Sequence, residues 1–105
     1  MISIIKSLFG IGPKTNFTEL VQQGALILDV RTKGEYASGH INGSVNIPVE
    51  QLANNLNKLK DKKRIIITCC ASGMRSASAK GILTSNGFST VHNGGAWQSL
   101  NRKLV

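Results

Sequence analysis

The 105-residue sequence predicts one α/β domain, a small parallel β-sheet flanked by helices on both faces. Three observations lead there. Two apolar runs, Ala25 to Val30 and Ile65 to Cys70, are nearly unbroken and rich in branched residues, as strands buried on both faces are. Segments with helical spacing lie between and after them. A glycine-bearing loop, Cys70-Ala71-Ser72-Gly73-Met74-Arg75, joins the second run directly to one of those segments.

Along the chain, Met1 to Gly12 is mostly apolar, and Ile4, Ile5, Leu8 and Ile11 share one helical face. We expect a short helix there, packed on a domain that spans 13–105 in preference to lying on a membrane surface. Its apolar core is too short for a signal peptide, and no segment approaches the length of a membrane span, so a cytoplasmic protein is expected. Gly10, Gly12 and Pro13 break the pattern. Phe17 to Gln23 reads as a short helix, capped by Thr15 or Asn16 and stopped by Gly24, and the first strand follows. Behind Pro48, the residues Val49, Leu52, Ala53, Leu56 and Leu59 recur at three and four positions, predicting one helix with Asn54, Asn55, Asn57, Lys58 and Lys60 outside its apolar stripe. After the second strand and the loop, a helix runs from about Arg75 to Asn86 and ends at Gly87. Gly81 inside it costs about 1 kcal/mol against alanine, so close packing is expected at that point. Ser89 to His92 is a third, shorter strand, and a last helix follows Trp97.

The chemistry points to the loop. Gly73 lets the chain turn back, so that the amides of Ala71 to Arg75 converge on the Cys70 sulfur. The positive end of the following helix and the Arg75 guanidinium favour the thiolate further. Cys70 is therefore expected to be a reactive thiol open to solvent. Cys69, its neighbour on a strand, points to the opposite side and reads as core.

Composition removes other classes. Thirteen basic against five acidic residues give a net charge of +8, which can steer small anionic substrates. The densest basic stretch, Lys58 to Arg64, has no interleaved aromatic, and the chain holds one Trp, one Tyr and three Phe, so no nucleic-acid partner is expected. Adjacent cysteines cannot close an unstrained disulfide, which fits a reducing compartment. Cys69, Cys70, His40 and His92 lack the spacing of a zinc site, and no metal is expected.

Several segments in order resemble the signatures of the rhodanese-like family of sulfurtransferases, in its single-domain form. They are Asp29-Val30-Arg31 with Glu35-Tyr36, then Gly39-His40-Ile41-Asn42-Gly43-Ser44-Val45-Asn46-Ile47-Pro48, then Cys70 to Ser76, and last Gly94-Gly95-Ala96-Trp97. The resemblance implies an active loop at the carboxyl end of a central strand and transfer of a sulfane sulfur through a Cys70 persulfide, with no cofactor. It implies a small anionic sulfur donor, such as thiosulfate or a persulfide, and cyanide, a thiol or a protein thiol as acceptor. The implied catalytic residues are Cys70 and Arg75. Ala71, Ser72, Gly73, Met74 and Ser76 would surround the substrate through the loop, and Trp97 would either wall the pocket or anchor the last helix. Met74 departs from the basic or polar groups that often flank the loop in members suited to thiosulfate. His40, Asp29 and Arg31 are expected to be structural, and the protein to be a monomer.

Two rival functions remain. Related phosphatases and arsenate reductases generally place one more residue between cysteine and arginine and often a histidine before the cysteine. Here four residues intervene and Cys69 precedes, and a smaller ring suits a single sulfur atom. The other rival, a non-catalytic or sulfur-relay binding module, draws on the apolar N-terminal face.

Overall fold

A computed structural model of the chain describes residues 15–105. The expected helix within Met1 to Gly12 lies outside the described residues. Among them, no helix is long and apolar enough to cross a membrane.

Asn16 opens α1 (Phe17–Gln22), its side chain accepting the Glu19 amide at 3.1 Å. Strand β1 (Leu26–Asp29) leads to α2 (Lys33–Ser38), which starts with a reciprocal cap between Thr32 and Glu35. Then come β2 (Val45–Asn46), α3 (Val49–Leu52), a 3₁₀ turn (Leu56–Leu59), β3 (Ile66–Cys70), α4 (Met74–Ser85), β4 (Val91–Ala96) and α5 (Trp97–Leu104). The strands form one sheet in the order β2-β1-β3-β4, and every pairing is parallel. Parallel neighbours need crossovers, which the helices supply.

Strand alternation separates two apolar layers. Leu28, Val30, Ile66 and Cys70 face a cluster with Leu52, Leu59, Ala79, Leu83 and Phe88, which covers the sheet with α3, the 3₁₀ turn and α4. Ile27, Ile67 and Cys69 face Leu100, with Phe17, Leu20, Trp97 and Leu104 packed around them from α1 and α5. This is the α/β architecture that the sequence predicts, with helices on both faces and period-two strands between them.

Several details differ from the sequence expectation, which also contains neither α2 nor β2. The stripe from Val49 to Leu59 is not one helix. Asn54 and Asn55 close a turn behind α3, with the Asn55 side chain taking the Gln51 carbonyl at 2.7 Å, and the chain resumes as 3₁₀. Asparagine side chains compete with the helical ladder in this way. Gly81 faces open space rather than a packed neighbour. The third strand reaches Ala96 because Gly94 and Gly95 continue the pairing through a bulge opposite Thr68 and Cys70.

Candidate active site

Strand β3 ends at Cys70 in the middle of the sheet, and α4 begins four residues later. Ligand sites of open α/β sheets lie at such carboxyl ends. Gly73 makes the turn with φ +104, a conformation that a Cβ would strain. Its amide consequently points back and donates to Cys70 Sγ at 2.9 Å. From the first turn of α4, the Ser76 amide approaches the same sulfur at 3.4 Å, and Ser76 Oγ lies 3.5 Å from it. Burial opposes ionisation of Cys70. The Ser76 hydroxyl and the amides of Ser76, Gly73 and Ser72 together outweigh it, and the thiol is held below its ordinary range.

The cradle differs in membership from the expected one. Ser72, Gly73 and Ser76 act on the sulfur, whereas the amides of Ala71, Met74 and Arg75 are not among its contacts. Ser72 sits exposed on the crest and does not cap α4, whose N-cap is Gly73. Cys70 itself is 0% exposed, contrary to the expected open thiol. The reason is geometric, since the turn that aims the Gly73 amide inward lays the chain over the sulfur. Ala71, Ser72 and Met74 in that turn are exposed.

Arg75 does not reach the sulfur as a free cation. Its guanidinium grips Glu35 with two bonds, of 2.7 and 3.0 Å. The Arg75 bond and the Thr32 amide hold the Glu35 carboxyl down at about 2. Glu35 is in turn fixed by a buried network. Arg31 forms three side-chain bonds with Asp29, the shortest of 2.7 Å, and reaches the carbonyls of Glu35 and Gly39 at 3.2 and 2.7 Å. Asp29 and Arg31 thereby orient α2, α2 presents Glu35, and Glu35 fixes the start of α4.

Trp97 lies on the other side of this network. The Arg31 guanidinium stacks 4.6 Å above its ring, and its edge approaches Gly39 closely within the α1/α5 apolar layer. This geometry makes Trp97 an anchor of α5 in that layer. His40 packs on Tyr36 with ring centres 3.8 Å apart and holds its carbonyl through Nδ1 at 2.8 Å, away from the sulfur. Cys69 belongs to the opposite layer, where burial pushes its thiol up to about 12.

Two participants escape sequence reasoning. Glu35 enters the sequence reading only as part of the Asp29–Tyr36 segment, and nothing local signals its partner forty residues away. Asn93, at the β4 bulge, accepts from Ser76 Oγ at 2.6 Å and from the Gly95 amide at 2.9 Å. Its signal is only its place before two glycines.

Comparison with known proteins extends the match beyond the loop. The family model for the Rhodanese-like domain covers residues 14–99. A thiosulfate sulfurtransferase GlpE of Pseudomonas fluorescens is 33% identical over 81 residues, which are 77% of this chain and 73% of that protein. A putative sulfur carrier protein YrkF of Bacillus subtilis is 40% identical over 67 residues, 64% of this chain but 36% of that protein. The human single-domain sulfurtransferase TSTD1 superposes with a TM-score of 0.71 at 26% identity, covering 83% of this chain and 90% of that one. With its parallel sheet, its Cys70 loop and these relatives, the chain belongs to the family of rhodanese-like domains.

Proposed function

We propose that the protein is a sulfurtransferase that carries a sulfane sulfur as a persulfide on Cys70. The observation that carries this reading is the Gly73 amide 2.9 Å from the sulfur, with Ser76 converging on the same atom. The Cys70 thiolate attacks the outer sulfur of a donor. With thiosulfate, a new S–S bond forms, the donor's own S–S bond breaks, and sulfite departs with its electron pair. The charge then resides on the terminal persulfide sulfur, near amides already aimed at that region. An acceptor nucleophile, such as cyanide or a thiol, takes the terminal sulfur. The persulfide S–S bond breaks, and Cys70 leaves as the thiolate that the cradle stabilises. No proton transfer by His40 is needed.

Access requires the Ala71–Met74 crest to lift, because the resting sulfur has no exposed surface. Met74, 79% exposed at the lip, presents an apolar surface where a small doubly charged anion gains nothing. A persulfide or protein-borne sulfur donor therefore fits this site better than thiosulfate. The likeness to a named putative sulfur carrier supports the same preference.

Mass spectrometry after incubation with thiosulfate, or with a small persulfide, tests the reading. One added sulfur on Cys70, removed by cyanide, is expected. Cys70→Ser abolishes it and Cys69→Ser retains most of it. Phosphate release from an ester without any persulfide would instead establish oxyanion hydrolysis.

A further inference from the structure

The Ser76 hydroxyl has one proton and three stations for it. Asn93 Oδ1 lies at 2.6 Å, the Gly73 carbonyl at 3.0 Å and Cys70 Sγ at 3.5 Å. The orientation of the Asn93 amide is fixed independently, because its oxygen also accepts the Gly95 amide at 2.9 Å and its nitrogen faces the Gly73 carbonyl at 3.4 Å. The shortest of the Ser76 contacts therefore leads away from the sulfur. In that arrangement a Cys70 S–H donates to Ser76 Oγ, and the Ser76 hydroxyl donates its own hydrogen bond to Asn93 Oδ1.

We infer that Asn93 is a positioning residue, acting through Ser76, that accepts the hydroxyl hydrogen bond while Cys70 is a neutral thiol and releases the hydroxyl to donate to the sulfur when Cys70 carries charge. The inference rests on the sulfurtransferase reading for its purpose but not for its geometry. A hydroxyl is free to rotate, and a thiolate is a stronger acceptor than a neutral amide oxygen, so ionisation itself turns the rotor. The effect is a brake. Asn93 competes with the sulfur for the one donor that can move, whereas the Gly73 and Ser76 amides cannot turn away. The loop thus keeps part of its thiolate stabilisation in reserve until charge appears on Cys70.

Other ionisable groups do not confuse the readout. Asp29 with Arg31 and Glu35 with Arg75 are closed ion pairs on the elements beside the loop. Cys69 faces the other layer, and strand register places His92 beside Ile67 of that same layer. Glu50 of α3 and Lys80 of α4 are exposed on the outer surface.

The experiment titrates Cys70 by the ultraviolet absorbance of its thiolate, subtracting Cys70→Ser, in four full-length proteins: unaltered, Asn93→Ala, Ser76→Ala and the double variant. Asn93→Ala is expected to shift the titration to lower pH when Ser76 is present and to have no effect in Ser76→Ala. An unchanged or upward shift would overturn the inference, because Asn93 would then only brace the loop. An equal downward shift in both backgrounds would also overturn it, because water entering beside Cys70 would explain the change. Should Asn93→Ala not fold, Asn93→Asp keeps both acceptor contacts. Its upward shift should be larger with Ser76 than without, and equal shifts would refute the rotor. Sulfur loading is scored separately by mass, so its failure in the unaltered protein would overturn the sulfurtransferase reading without touching the titration.

Discussion

Ser76 is fully buried, and both its amide and its hydroxyl reach the Cys70 sulfur from the first turn of α4. Removing the hydroxyl strips away the donor that counts most against burial at Cys70. Ser76→Ala should therefore raise the pH at which Cys70 alkylates, toward that of an ordinary thiol, and slow sulfur loading at neutral pH. An unchanged alkylation profile would place the stabilisation wholly in the amides. Gly94 sets a different constraint at the same scale. A Cβ there would lie 2.8 Å from Ile67, 2.9 Å from Leu100 and 2.9 Å from the Thr68 carbonyl, and backbone does not yield as a flexible side chain does. Gly94→Ala should cost about 2–3 kcal/mol of unfolding free energy, as overpacked cores do, measurable in a urea titration. The adjacent cysteines show how far one residue of strand register decides chemistry. Cys70 meets amides and a helix terminus at the edge of its apolar layer, whereas burial in the opposite layer and the nearby Asp29 charge keep Cys69 protonated.

Among the elements, α4 follows the Cys70 loop directly and has an uncompensated weakness. Gly81 has open space where a side chain would go and lies in a regular helix, so Gly81→Ala should stabilise the fold by about 0.5–1 kcal/mol without altering sulfur loading. No gain in a thermal or urea titration would mean that the helix is strained there. The latch from α2 to α4 has a pH signature. Glu35 titrates near 2 in the fold against an ordinary 4.5, so the unfolded chain binds the proton first on acidification. The contribution of Glu35 is complete above about pH 4.5 and fades as pH falls through 2. Urea unfolding of Glu35→Gln should show a shallower loss of stability between those limits than the unaltered protein, and parallel curves would disprove the latch. Such pairs also mark the limit of legibility. Strands β1, β3 and β4, α1, α4 and the thiol loop are readable because runs, periods and a strand-loop-helix junction are local. The break after α3, the two-residue strand β2 and the Glu35–Arg75 and Ser76–Asn93 contacts depend on which distant backbone lies alongside, and no window of sequence contains that.

At the scale of the whole molecule, the densest basic stretch and the Cys70 site are separated. The sequence's excess of cations suggests steering of anionic substrates, yet topology puts the densest basic stretch at the wrong end. Lys58, Lys60, Lys62, Lys63 and Arg64 precede β3, and Arg64 holds the Gly24 carbonyl ahead of β1. Cys70 sits at the other end of β3. Five residues at about 3.3 Å each separate the two by about 16 Å, roughly twice the screening length of about 8 Å at physiological ionic strength. Among the described residues beside the loop, Arg31 is engaged by Asp29 and Arg75 by Glu35. The basic end therefore contributes little to capture of a small anionic donor. Lys58→Gln/Lys63→Gln, both exposed, should leave kcat/KM for sulfur loading from thiosulfate within about twofold at 0.15 M salt, with an unchanged salt slope. A several-fold loss that disappears at high salt would show that the distant charges do steer the donor, and would reassign the basic end to catalysis.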